Sequence, residues 1–316
     1  MHNRVKITIL AIVALSLIAT FMVIQSGGNW SYILPRRGIK ILAIVLTAAA
    51  IAFSTMVFQT ITNNRILTPS ILGLDSLYML FQTFIVYFLG SATLSMMSKH
   101  VHFGLSVGLM VLFSSVLYRI IFRREGQNIY FLLLVGIIMG TLFGSFSSFM
   151  QVMIDPNEFL HVQDKMFASF NRVGSDLLLL SFIIVLGVAV YFWKFAKYLD
   201  VLSLGKEHAV NLGVNYDYVV KRLLILVAIL ISISTALVGP ITFLGLLVAN
   251  VAHQMFGTYR HKVLIPGSIL ISIVALVGGQ LIVERVFTFT TTVSVVINLV
   301  GGIYFIYLLL KENKSW

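Results

Sequence analysis

Ten apolar runs, set apart by short breaks of Gly, Pro, Asn and charged side chains, occupy almost all of this 316-residue chain. They cover residues 5–25, 39–61, 71–90, 103–122, 130–154, 177–196, 219–238, 241–256, 263–283 and 293–310. Most are close to the roughly 20 residues that a helix needs to cross a bilayer. Backbone N–H and C=O groups find no water in hydrocarbon, so each run is expected to be helical, and the alternating pattern of a β-barrel is missing. Hydrophobic residues make up 59% of the chain and charged ones 10%, where a soluble domain carries about 25% charge. The expected fold class is all-α and polytopic: about ten transmembrane helices in one domain over residues 1–316, with nothing left for a soluble catalytic domain. The first run is too long for a signal h-region and no small-x-small cleavage site follows it, so it is expected to stay as the first span.

The formal charge of +11 suggests nucleic acid until its distribution is traced. The basic residues sit in short loops between apolar runs, where they set orientation, and no basic stripe interleaves with exposed aromatics. With the N-terminus inside, fifteen of the 22 Lys and Arg fall on the inner side and seven outside: Arg36, Arg37, Lys40, Lys99, Lys165, Arg172 and Arg285. That asymmetry supports an even number of spans with both termini cytoplasmic, in a cell membrane. The count of zero cysteines excludes disulfides, Fe–S clusters and thiolate metal sites.

Searches for chemistry return little. There is no G-x-x-x-x-G-K-S/T loop for ATP, no H-E-x-x-H, and the seven histidines lack metal-ligand spacing. Gly144 to Ser148 lacks the second glycine of a nucleophile elbow. The expectation is a non-enzyme with no catalytic residue, metal or cofactor. An ion-coupled carrier needs buried charge, and Asp75, Glu284 and Arg285 all fall near expected span ends. Energy then comes from outside the chain, or the chain is a passive pore; an ion-coupled secondary transporter or channel for a small solute is the rival reading.

Four local features stand out. Residues 155–176 form the longest outer loop and are expected to hold a short interfacial helix, either functional or merely sealing the surface. Two breaks resemble each other: Pro69 to Gly73, and Gly239, Pro240 and Gly245. Each follows a long span, and those spans run in opposite directions, as in the inverted repeats of transporters. The cytoplasmic segment 200–215 reads as a helix of about nine residues capped by Ser203 and stopped by Gly213. Leu204, His208 and Leu212 share a stripe with Ala209 beside it, while Lys206 and Glu207 point away. Such a helix either docks on a cytoplasmic partner or lies on the bilayer. Outside, Arg36, Arg37 and Arg285 either pair with carboxylates of a partner or snorkel to headgroups.

These residues together resemble the iron-siderophore and vitamin B12 ABC importer permeases. Leu34-Pro35-Arg36 is similar to the family's Arg-Leu/Ile-Pro-Arg motif, although Ile33 stands where its first Arg would be. Gln59 to Asn64 and Pro69 to Gly73 resemble the stretch after the second span. Leu204-Gly205, Ala209 and Leu212-Gly213-Val214 match L-G-x3-A-x2-L-G-V, and Gly239 to Val248 matches G-P-I-x-F-x-G-L-I/V-V. Arg260 to Lys262 and Pro266 follow as the family's basic loop and proline, and Gly301-Gly302 sits where G-A-P is usual. The resemblance implies ten helices per subunit and a pair of permeases, a heterodimer or a homodimer, resting on ATP-binding subunits. It makes 204–214 a coupling helix carried by Leu204, Gly205, Glu207, Ala209, Leu212, Gly213 and Val214. It implies that Arg36 docks an extracytoplasmic siderophore-binding protein, with Arg285 in a similar place after the ninth span and Arg37 as a neighbour. Helix breaks at Pro69, Gly73, Gly239, Pro240 and Gly245 then serve gating. Asn64-Arg65, Ala249-Asn250 and Thr290 to Thr292 depart from the family pattern, and the whole looks like the branch serving catecholate-type ferric siderophores such as petrobactin.

Overall fold

A computed structural model of the chain describes residues 3–24, 30–121 and 129–312. Among these lie α1 (Asn3–Val23), α2 (Trp30–Thr62), α3 (Leu74–Met96), α4 (Lys99–Ile121), α5 (Ile129–Met153), α6 (Pro156–Met166) and α7 (Ser175–Phe192). The second half adds α8 (Ala196–Leu202), α9 (Lys206–Asn211), α10 (Tyr216–Val238), α11 (Leu244–Phe256), α12 (His261–Arg285) and α13 (Val293–Glu312). Short 3-10 turns occupy Pro69–Leu72 and Phe170–Arg172. Eight helices are long and apolar enough to span, and α11 and α13 are shorter apolar helices, which together give the ten expected. The expected span ends Gln25 and Phe122, and the inner cations Arg123, Arg124 and Lys314, lie outside the described residues.

The helix ends depart from expectation for identifiable reasons. α2 starts at Trp30 and not at Ile39, with Pro35 inside it. A proline near the free end of a helix deletes one backbone hydrogen bond without stopping the helix. α3 starts after a 3-10 turn with Pro69 at its head, closed by Gly73 at φ 79°. α11 starts at Leu244 because Gly239, at φ 105°, and Pro240 interrupt the chain. Its 13 residues reach about 20 Å at 1.5 Å per residue, short of the hydrocarbon thickness of about 30 Å.

Lipid gives no hydrophobic drive for one helix to leave it for another, so close packing must hold the bundle. α2 supplies it with small side chains: Ala43, Ala48, Ala50, Ala52, Ser54 and Thr55 are all buried. α2 and α10 are the most enclosed long helices, whereas α1 and α7 turn Leu15 and Val190 outward. The polar helix α6 lies across the outer end, as expected for the 155–176 loop. Asp155 caps it by accepting from Asn157 N at 2.9 Å, and Glu158 accepts from Ser91 N at 3.1 Å, beside the break of α3 at Gly90.

One expectation needs correcting. Asp75 does begin α3, but α3 begins in the middle of the bundle, so the carboxyl is not near a membrane surface. A Cβ on Gly73 would lie 2.8 Å from the Cα of Gly140, at the midpoint of α5. Residues 63–73 climb into the bundle before α3 starts, and a span-end reading from hydropathy alone overlooks that climb.

Candidate coupling, docking and hinge sites

At the inner end α8, α9 and the start of α10 form one compact turn of chain. Gly205 N bonds to Leu202 O at 3.0 Å, and Ala209 N bonds back to Gly205 O at 3.0 Å. Gly205 stands at φ 96°, ψ 165°, a region essentially restricted to glycine. Val214 N donates to Ala209 O at 3.0 Å, and Asn215 Oδ1 accepts from Tyr218 N at 3.2 Å to start α10. Ser203 does not cap α9, contrary to expectation. It closes α8, donating from Oγ to Asp200 O at 2.7 Å, so the helix proper is six residues, Lys206–Asn211. A serine cap needs its own residue in an extended conformation, and the turn through Gly205 leaves Ser203 helical.

The expected stripe divides. Ala209 is buried, whereas Leu204, Val210 and Leu212 are 55%, 50% and 63% exposed. Glu207 and His208 are exposed and Val214 is half-buried. Three apolar side chains thus face outward around one short helix, a surface open either to a partner or to the bilayer. Val210 was missed by sequence reasoning, because a fixed helical stripe cannot follow a segment whose two ends turn at Gly205 and Gly213.

A polar chain fastens this unit to the spans. Asp200 Oδ1, on α8, accepts from the backbone N of His261 at 2.9 Å and faces its Nδ1 at 2.6 Å. His261 opens α12, and its Nε2 lies 2.7 Å from Thr60 Oγ1 near the inner end of α2. Thr60 Oγ1 also lies 2.8 Å from Met56 O, so the ring of His261 is held between α8 and α2. Burial works to raise the Asp200 carboxyl. The backbone N–H and ring of His261, with Lys262 nearby, outweigh burial and hold it below the ordinary carboxylate value. None of the three was singled out in the sequence, where 61 residues separate Asp200 from His261.

The three arginines expected to dock a binding protein separate into two roles. Arg37 Nη1 donates to Phe21 O and Met22 O at 3.0 and 2.8 Å, and Arg285 Nη2 donates to Ile24 O at 3.1 Å. Both therefore satisfy the final carbonyls of α1, where the helix dipole favours cations. Beside them Lys40 pairs with Glu284 at 2.6 Å, joining α2 to α12. Arg36 is exposed and donates to Tyr32 OH at 2.6 Å.

The two Pro/Gly breaks meet. Thr68, Pro69, Ser70 and Asp75 from the first and Ile241, Thr242 and Gly245 from the second line a single cavity of about 10 Å³, room for about one water. Thr235 Oγ1 donates to Asp75 Oδ1 at 3.2 Å, while Asp75 Oδ2 and Thr55 Oγ1 are buried with no hydrogen-bond partner among the described residues. Gly239 packs on the outer loop, where its Cβ would lie 3.0 Å from Ala168 Cα. Pro240 carries the chain from there towards the cavity.

Comparison with known proteins bears on the family and the fold. The family model described as the FecCD transport family matches residues 5–311. The chain is 66% identical over its whole length, and over all of the relative, to the petrobactin import system permease protein YclO of Bacillus subtilis (strain 168). It is 36% identical to the petrobactin import system permease protein FatC of Bacillus anthracis, covering 98% of this chain and 90% of that one. A solved structure described as an inward-facing metal-chelate type ABC transporter superposes at a TM-score of 0.85. It is 20% identical and covers 98% of this chain and 99% of its own, a likeness of fold.

Proposed function

The chain belongs to the FecCD transport family, and from that premise we propose that it carries a catecholate-type ferric siderophore such as petrobactin, driven through α9 by a separate ATPase. It is a multi-pass membrane permease of an ABC import system for ferric siderophores. The full-length identity to a petrobactin permease supports the narrower substrate. The remaining parts of the system in this reading are ATP-binding subunits on the inner face, a second, non-identical permease alongside, and an extracytoplasmic binding protein above.

The observation that carries the mechanism is the outward-facing trio Leu204, Val210 and Leu212 around α9, beside α8, which Asp200 ties to α12 and α2 through His261 and Thr60. Closure of the ATPase pushes on α9. The push passes through α8 to the inner ends of α12 and α2, and the bundle yields where the Pro69–Gly73 and Gly239–Gly245 breaks meet. Coupling of this kind requires different contacts in two states, not adjacency alone. Arg36 docks the binding protein, while Arg37 and Arg285 steady the end of α1 beside it.

Gly205→Arg and Gly213→Arg test this assignment. Both glycines have positive φ and open space where a Cβ would go, so a side chain strains the backbone and projects into the docking surface. Either variant is expected to reach the membrane and to abolish iron-limited growth on the chelate. Normal growth by both would refute the coupling role of this segment.

A further inference from the structure

A chamber of about 920 Å³ opens at the outer end between the start of α2, the α3–α4 connection, α6, the turn Phe170–Arg172 and the end of α10. Positive charge is scarce on that side, as membrane orientation demands. Yet six of the seven outer cations line this one chamber: Arg36, Arg37, Lys40, Lys99, Lys165 and Arg172. Among the described residues its lining contains a single acid, Asp164. Arg37 is occupied by α1 carbonyls, Lys40 by Glu284 and Arg172 by Asp164. Lys99 and Lys165 have no ion pair among the described residues. Burial, followed by the charges of Arg172 and Lys99, pushes the Lys165 ammonium below its ordinary value, with Asp164 opposing. Like charges held together in this way cost free energy that an anion recovers on binding.

We propose that the chamber is a binding site for a net-negative ferric chelate, whose catecholate or carboxylate oxygens are taken by Lys99 and Lys165 with Arg172. This rests on the siderophore reading above and adds a selection by charge. Each catecholate brings two negative charges to Fe3+, so a ferric complex with two or three catecholates is an anion. A hydroxamate brings one, and a ferric tris-hydroxamate is neutral. The chamber is of the size that takes a drug-sized ligand, about 300–1,000 Å³. The electropositive wall attracts such an anion as it leaves the binding protein, and cations spread over several elements release it when those elements move.

The test uses the complete complex in proteoliposomes, with radiolabelled iron as a ferric catecholate delivered by the binding protein. The Lys99→Gln/Lys165→Gln double variant is expected to raise KM for uptake about tenfold, the scale of two partly exposed charge contacts. Stimulation of ATP hydrolysis by the loaded binding protein should stay at the wild-type level. Lys99→Arg/Lys165→Arg, which keeps the charge, should restore uptake. Wild-type KM in the Gln variant overturns the site. Parallel loss of ATPase stimulation also overturns it, since the lysines then dock the binding protein. If the wild-type complex moves no ferric chelate, the siderophore reading itself fails and the site falls with it.

Discussion

Gly245 and Thr55 show how far single side chains decide this bundle. A Cβ on Gly245 would lie 2.2 Å from Thr55 Oγ1, and Thr55 sits on the most enclosed helix, beside a cavity that holds no more than about one water. Gly245→Ala is expected to destabilise by about 1–3 kcal/mol, the usual range for overpacking. Thr55→Ala in the same chain removes the clashing hydroxyl and should recover part of the loss. Thermal unfolding of the two variants in detergent checks this, and an unshifted midpoint in Gly245→Ala alone would show that α2 and α11 are not in close contact there. At this scale the sequence was legible where a residue type has one strong reason to be in place. The helix-breaking Pro69, Gly73 and Pro240 all stand at interruptions. It was illegible where function depends on which neighbour arrives from afar. Arg36 and Arg37 are adjacent and chemically alike, yet one is exposed and the other turns to carbonyls of a helix some 15 residues earlier.

The elements that matter most are short. α9 has six residues and could not hold a helix alone, because nucleation costs more than so few hydrogen bonds return. Its backbone bonds to the preceding turn and to Val214 hold it, and the Asp200–His261 contact holds α8 beneath it. Asp200→Asn keeps the shape but weakens the pairing. We expect reduced uptake per ATP hydrolysed, with hydrolysis itself retained. Equal coupling ratios in Asp200→Asn and wild type would show that the push does not travel through His261. Because the Asp200 carboxyl is held low, its contribution is in place above the unfolded value of about 3.9. It is lost only as pH falls through the depressed folded value, so coupling should be insensitive to pH near neutrality on this account. Long elements were legible from hydropathy, since lipid leaves the chain no choice but helices. Their ends were not. The 3-10 turn at Pro69–Leu72, the late start of α11 after Gly239 and Pro240 and the early start of α2 through Pro35 follow from backbone chemistry that a hydropathy profile does not register.

For the whole molecule the account is one of borrowed force. In the proposed path, eight long apolar helices and two shorter ones separate an inner knob with apolar side chains turned outward from an outer chamber walled with cations, and no group among the described residues supplies an engine. Asp75, buried between the two breaks, is the acid that an ion-coupled carrier would employ, so the two readings part on energy source. The decisive measurement is accumulation of radiolabelled ferric chelate in proteoliposomes, compared between the complete complex with ATP inside and the permease alone under an imposed proton or sodium gradient. The account predicts uphill uptake only in the first, abolished by Gly205→Arg in the permease. Uphill uptake by the permease alone, driven by the ion gradient and lost in Asp75→Asn, would contradict it.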